Sequence, residues 1–112
     1  MARTLAKKDW HPLLGHFSEV LVGKRAEVEV DSLDLGAQLE AEWVPLLGLS
    51  YDPKNDLIEV ALEGLDHAIR KPRVIQIEDG KGPLESLEIT DADNVRHIVK
   101  LKDPLLLPAP RH

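Results

Sequence analysis

No cysteine occurs in the 112 residues. Disulfides, zinc–thiolate sites and thiol nucleophiles are therefore excluded, and a reducing cytoplasm is the compartment expected. Aromatic residues are also scarce, with two tryptophans, one tyrosine and one phenylalanine. Single-stranded nucleic-acid binders need interleaved aromatics on which bases stack. Positive charge is in deficit: 14 Lys and Arg face 20 Asp and Glu, a formal net charge of −6. Phosphate neutralisation supplies most nucleic-acid affinity, so no nucleic-acid partner is expected, and a ring-forming Sm-like RNA binder is disfavoured. No stretch approaches the roughly 20 apolar residues of a membrane span. Residues 1–14 hold no long apolar run, so neither a membrane segment nor a signal peptide is expected.

Catalytic motifs are missing too. The chain has no phosphate loop, Gly-rich dinucleotide turn, Gly-x-Ser-x-Gly elbow or zinc-protease helix. Its serines, Ser18, Ser32, Ser50 and Ser86, have no histidine in a recognisable arrangement. These absences lower the expectation of an enzyme, and no cofactor or metal is expected.

What remains fits one domain over residues 1–112. Trp10, Leu13, Leu14, Phe17 and Leu21 follow the i, i+3, i+4, i+7, i+11 spacing of one helix face. Asp9 is placed as N-cap, Pro12 falls in the first turn and Gly23 suits the C-terminal stop. The spacing predicts a helix over about 10–22. The period then changes to two. Ala26, Val28 and Val30 alternate with Glu27, Glu29 and Asp31, and Leu39, Ala41 and Trp43 alternate with Gln38, Glu40 and Glu42. Both read as half-buried strands. Their acidic rows read as solvated sheet faces that discourage edge pairing. Pro45 makes the second strand an edge or bends it there.

Asp52-Pro53-Lys54-Asn55-Asp56 is the strongest turn signal and predicts a hairpin between 47–51 and 57–62. Gly64 is read as a kink or bulge before Leu65 to Arg70, and Pro72 is expected to hold Lys71 extended. Val74, Ile75 and Ile77 form a further strand. Asp79 to Pro83 is a loop, Leu87 and Ile89 mark another strand, and Asp91 to Asn94 is a turn before a last strand over 95–101. The fold class is α+β: one amphipathic helix on a curved antiparallel sheet of about six strands over 24–101. Such a sheet either closes into a small SH3-like or Sm-like barrel or stays an open meander covered by the helix.

The segment Gly64-Leu65-Asp66-His67-Ala68-Ile69-Arg70-Lys71-Pro72-Arg73 gathers an acid, an imidazole and three cations. One reading is a ligand site: His67 as acid–base group or ligand, with Arg70, Lys71 and Arg73 holding an anion beside Asp66. The other is a histidine at the core edge, with cations facing the sheet's carboxylates. His97 repeats the pattern on an apolar strand face, and the two imidazoles would form a proton-transfer or metal site if they met. Nothing in their spacing forces that. His11 and His16, five apart on the helix, do not share a face. The tail, residues 103–112, is Pro-rich, and Leu105, Leu106 and Leu107 need an apolar surface, on this domain or on a second copy.

The stretches Ser50-Tyr51-Asp52-Pro53-Lys54-Asn55-Asp56, Glu59-Val60-Ala61-Leu62-Glu63-Gly64-Leu65-Asp66-His67, Ile69-Arg70 and Pro72-Arg73 resemble a family of small uncharacterised bacterial proteins, a domain of unknown function. Asp9-Trp10 and Asp103-Pro104-Leu105-Leu106-Leu107-Pro108 are similar as well. The resemblance implies a bacterial stand-alone domain and carries no assigned activity. The expectation is thus a non-enzymatic β domain acting through protein binding or self-association. The alternative is a small-molecule or anion site, catalytic or not, around Asp66, His67 and Arg70.

Overall fold

A computed structural model of the chain describes residues 2–21, 23–79 and 84–102. Of the loop expected over 79–83, Asp79 ends a strand, and residues 80–83, like the tail with Leu105, Leu106 and Leu107, lie outside the described residues. Strand β1 (Ala2–Thr4) is followed by a 3-10 turn (Lys7–Asp9) and helix α1 (Trp10–Leu21). Then come β2 (Arg25–Ser32), β3 (Gly36–Asp52), β4 (Leu57–Leu62), β5 (Leu65–Arg70), β6 (Pro72–Asp79), β7 (Leu84–Asp91) and β8 (Arg96–Lys102).

Trp10, Leu14, Phe17 and Leu21 are the buried stripe of α1, as their spacing requires. Asp9 is not the N-cap. It is itself part of the 3-10 turn, which starts after the extended Ala6 and runs straight into the helix without a side-chain cap. Leu5 and Trp10 provide the anchor instead. The Leu5 N–H donates to the Ile75 carbonyl (2.9 Å), and the Trp10 indole N–H donates to the Leu5 carbonyl (3.3 Å). Gly23 ends the helix with φ +91°, a conformation costly for any residue with a Cβ.

All strand pairs are antiparallel, in the order β1-β6-β7-β8-β2-β3-β4-β5. The α+β reading and the antiparallel sheet are correct, but eight described strands exceed the six expected, and the order does not close into a barrel. The reason lies between β5 and β6. Lys71 alone links them, and β6 goes on to pair with β7 and β1 rather than with β5. Lys71 is also not extended. It sits at φ +52°, pinned because its N–H donates to the Asp56 carbonyl and its own carbonyl accepts the Ala92 N–H, both at 2.9 Å. Gly64, at φ +83°, is not a kink but part of the two-residue turn of the β4–β5 hairpin. The Asp52–Asp56 hairpin forms as expected. The Asp52 carboxylate accepts the Lys54 and Asn55 N–H groups at 3.0 and 3.3 Å.

The long strand β3 runs through Pro45 without stopping. Up to Pro45 it pairs with β2, and from Leu46 it pairs with β4. Near the changeover Glu42 and Trp43 oppose the single Glu27, Glu40 is a further extra residue, and Trp43 takes φ +52°. Bulges of this kind bend a strand and raise its twist. A proline that cannot donate to a ladder fits the point where the partner changes. The Lys102 ammonium lies 3.8 Å from the centre of the Trp43 ring and covers it.

Helix α1 lies against β3, where the Ser18 hydroxyl accepts the Leu49 N–H at 3.0 Å. Gly48 has no side chain to obstruct that contact: a Cβ there would lie 3.3 Å from Ser18 Oγ. Inward residues of the strands, among them Val28, Ile58, Val60, Ile69, Ile75, Leu87, Ile89 and Val99, form one hydrophobic cluster with the helix stripe. No helix among the described residues is long and apolar enough to cross a membrane.

Leu14 is fully buried, whereas Val20 on the same helix is 55 % exposed. Leu14→Ala is expected to cost about 2–5 kcal/mol, and Val20→Ala to stay within about 0.5 kcal/mol. Urea unfolding of the two variants against the wild type measures both, and equal effects would contradict the packing described.

Candidate functional site

Strand alternation divides the Gly64–Arg73 segment between two faces. On β5, His67 and Ile69 turn toward the core while Asp66, Ala68 and Arg70 are exposed on the other side. Lys71, at the link, and Arg73, on β6, are exposed too. The structure therefore places Asp66 and Arg70 away from His67. What it brings to His67 is His97, on β8.

In a flat sheet β5 and β8 would lie four strand spacings apart, roughly 19 Å. Yet His67 Nε2 is 2.9 Å from His97 Nδ1, and the ring centres are 5.1 Å apart. The sheet is thus folded back on itself, and the bend in β3 is where the fold is made. Beyond His97 the line continues: His97 Nε2 is 3.0 Å from Asp91 Oδ2. The result is a carboxylate, an imidazole and a second imidazole in a row. His97, in the middle of the row, is 7 % exposed, and Asp91 and His67 at its two ends are both half-buried.

Asp91 is held by the turn it starts. Its Oδ1 accepts the Asp93 N–H (2.9 Å) and the Val95 N–H (3.1 Å), leaving Oδ2 for His97. Burial pushes the Asp91 carboxyl up, but the bonds from His97, Val95 and Asp93 outweigh it and hold the group below the ordinary carboxylate value. Asp91 is therefore ionised near neutral pH and can accept but not donate. That fixes the protons along the row. His97 must carry its proton on Nε2 and present a lone pair at Nδ1. His67 must then donate its Nε2–H to that lone pair, which leaves His67 Nδ1 as an acceptor.

The charge environment of His67 is mixed. Burial, then the neighbouring His97, lower its pKa from the ordinary 6.5, and the carboxylate of Glu40 pulls the other way. Glu40 is the extra residue of the β3 bulge, so an acidic row read as a plain solvated face also acts on the site. Elsewhere that surface makes ordinary exposed pairs, with Arg96 bonded to Asp31 and Glu88. A metal needs lone pairs directed at a common point. Here the two imidazoles face each other, and no group of three or more metal-ligating side chains occurs among the described residues.

Of the predicted site residues, His67 and His97 meet. Asp91 was legible only as a turn residue. Its hint was the Asp-Ala-Asp-Asn pattern, because an aspartate that opens such a turn has its carboxylate fixed by backbone N–H groups.

The model of a family described as of unknown function, DUF5335, matches residues 1–110. An uncharacterised protein of Aquifex aeolicus (strain VF5) is 35 % identical over 107 residues, which is 95 % of this chain and 96 % of that protein. No solved structure is significantly similar to the chain.

The His67 shift makes stability depend on pH in a definite direction. With the native pKa below the unfolded value of 6.5, the unfolded chain takes up a proton first as pH falls. Stability is thus full above about 6.5 and declines through the window between that value and the lower native pKa. Asp91, whose native pKa is depressed below 3.8, adds stability that is lost at lower pH, as pH falls through its native pKa. His67→Gln keeps an N–H donor for His97 but does not titrate in this range. Thermal melts from pH 8 to 5 should show the wild type losing more stability below pH 6.5 than the variant. Parallel curves would contradict the assignment.

Proposed function

The chain belongs to the DUF5335 family, which brings no assigned activity, and we propose that it carries a small-molecule site in which His67 is the proton acceptor. The observation that supports this reading is the unbroken row from Asp91 through His97 to His67, with contacts of 3.0 and 2.9 Å and a half-buried imidazole at its end. A histidine needed only for packing would be satisfied by one backbone carbonyl. Here two further titratable groups set its tautomer and leave an acceptor nitrogen, Nδ1, outside the row.

The chemistry is proton acceptance from a ligand O–H or N–H group. The ligand's X–H bond breaks, the proton goes to His67 Nδ1, and the electron pair stays on X. The cation formed on His67 keeps its Nε2–H bond to His97, whose tautomer Asp91 holds, and Glu40 favours the charge. His67 is the group that touches the ligand, and His97 and Asp91 are positioning residues. Because Glu40 lies close by, the site suits a neutral donor such as a phenol or alcohol better than an anion. Asp66 and Arg70 lie on the opposite face of β5, and Lys71 and Arg73 are exposed beyond it, so in this reading none of the four takes part in the proton-accepting step.

Long-range nitrogen–proton NMR of the imidazoles tests it. At pH 8 both His67 and His97 should carry their proton on Nε2. Asp91→Asn should reverse both, because the amide nitrogen donates to His97 Nε2 while its oxygen still serves the turn. His97 then donates from Nδ1, and His67 is left with its proton on Nδ1. Phenol added as a probe should move the His67 Nδ1 signal in the wild type and leave that of Asp91→Asn unmoved. A wild-type His67 protonated on Nδ1 at pH 8, or an Nδ1 signal indifferent to phenol, would overturn the reading.

A further inference from the structure

The β2–β3 hairpin ends in Ser32-Leu33-Asp34-Leu35-Gly36, and its leucines do not face the core. Leu33 is 99 % exposed, Leu35 70 % and Leu39 50 %. The Ser32 hydroxyl accepts the Leu35 N–H at 3.1 Å, and Gly36 takes φ +70°, so the turn has a defined shape. A shaped turn that offers leucines to water on either side of an aspartate is a contact surface in need of a partner.

At the other end of β3 lies an open groove of about 680 Å³, lined by Lys7, Lys8, His11, Pro12, Tyr51 and Pro53. Its size is that of ordinary ligand clefts, about 300–1,000 Å³. Asp56 also borders it, but its carboxylate accepts the Tyr51 hydroxyl at 2.8 Å. Two lysines and a histidine around apolar Pro and Tyr surface stand out on a chain of net charge −6. The groove complements an acidic, apolar tip.

We propose that the Leu33-Asp34-Leu35 tip of one molecule seats in the Lys7–Pro53 groove of a second copy. The leucines would cover Pro12, Tyr51 and Pro53, and Asp34 would face Lys7 and Lys8. The tip and the groove sit at opposite ends of β3, so the contact is assigned to a second copy. The tip precedes the first residue of β3 and Pro53 follows its last, so the 17 residues of the strand, bent but continuous, lie between the two. The molecule measures 54 × 31 × 27 Å. Two copies lying antiparallel along the long direction let each tip reach the other's groove, which closes the contact by two-fold symmetry. Neither His67, His97 nor Asp91 takes part, so this proposal and the proton-acceptor site stand or fall separately.

Sedimentation velocity of the full chain over a range of concentrations is the test. The wild type should move from the 12.5 kDa species to a dimer. Leu33→Asp with Leu35→Asp alters solvent-exposed positions and keeps the fold, as circular dichroism would check, and should weaken association about tenfold or more. Lys7→Glu with Lys8→Glu should weaken it as well, and adding Asp34→Lys to that variant should restore it. A wild type that stays monomeric throughout overturns the proposal. So does a dimer indifferent to both sets of changes, or one dissolved by Leu106→Asp but not by the tip variant, which would make the tail the contact.

Discussion

Pro45 has no N–H to offer a ladder, and two residues before it Trp43 sits at φ +52°. Directly after Pro45, β3 leaves β2 and takes up β4. Without that change of partner the sheet would run on as a single surface, with its two ends far apart. With it, β4 and β5 fold over toward β8, the inward residues of both halves share one core, and α1 packs on the strand that makes the bend. The contact between His67 and His97 follows from this. They are residues of strands that never pair, brought together by a bend in a third.

The other end of the row depends on local geometry. Asp91 uses one carboxylate oxygen to close the β7–β8 turn and the other to hold His97. The two tasks reinforce each other. Because the turn's N–H groups keep the carboxyl ionised, Asp91 can only accept, and an acceptor at that point sets which nitrogen of each imidazole carries a proton. A turn aspartate thereby controls the tautomer of a histidine on a distant strand.

Local chemistry was the legible part of this sequence. The helix stripe, the Asp52–Asp56 hairpin and the alternation of β2 and β4 depend on neighbouring residues, and the structure agrees with them. What could not be read depends on long-range choices. Lys71 precedes a proline and should be extended, but the Asp56 carbonyl and the Ala92 N–H hold it in the left-handed region. The three residues of β1 carry no pattern of their own and become a strand through β6. Closure into a barrel looked natural for many short strands, but no residue signals that a one-residue link will send β6 away from β5. For the site, each histidine was visible on an apolar face. Their meeting was not, because the sequence shows Pro45 as an interruption without saying where the chain goes next.

Two imidazoles in series differ from one. At 2.9 Å there is room for one proton between His67 Nε2 and His97 Nδ1. A second would set two N–H groups head to head. The pair therefore takes up one added proton, on a line with Asp91 at one end and Glu40 acting on the ring at the other. A lone half-buried histidine would face the desolvation cost of that charge alone. Here Glu40 offsets part of that cost, and the pKa of His67 still lies below its ordinary value. A base of that kind is unprotonated at neutral pH yet able to take a proton, which is the condition a general base must meet. The acidity of the chain contributes directly through Glu40, which the bulge in β3 adds to the strand beside the site.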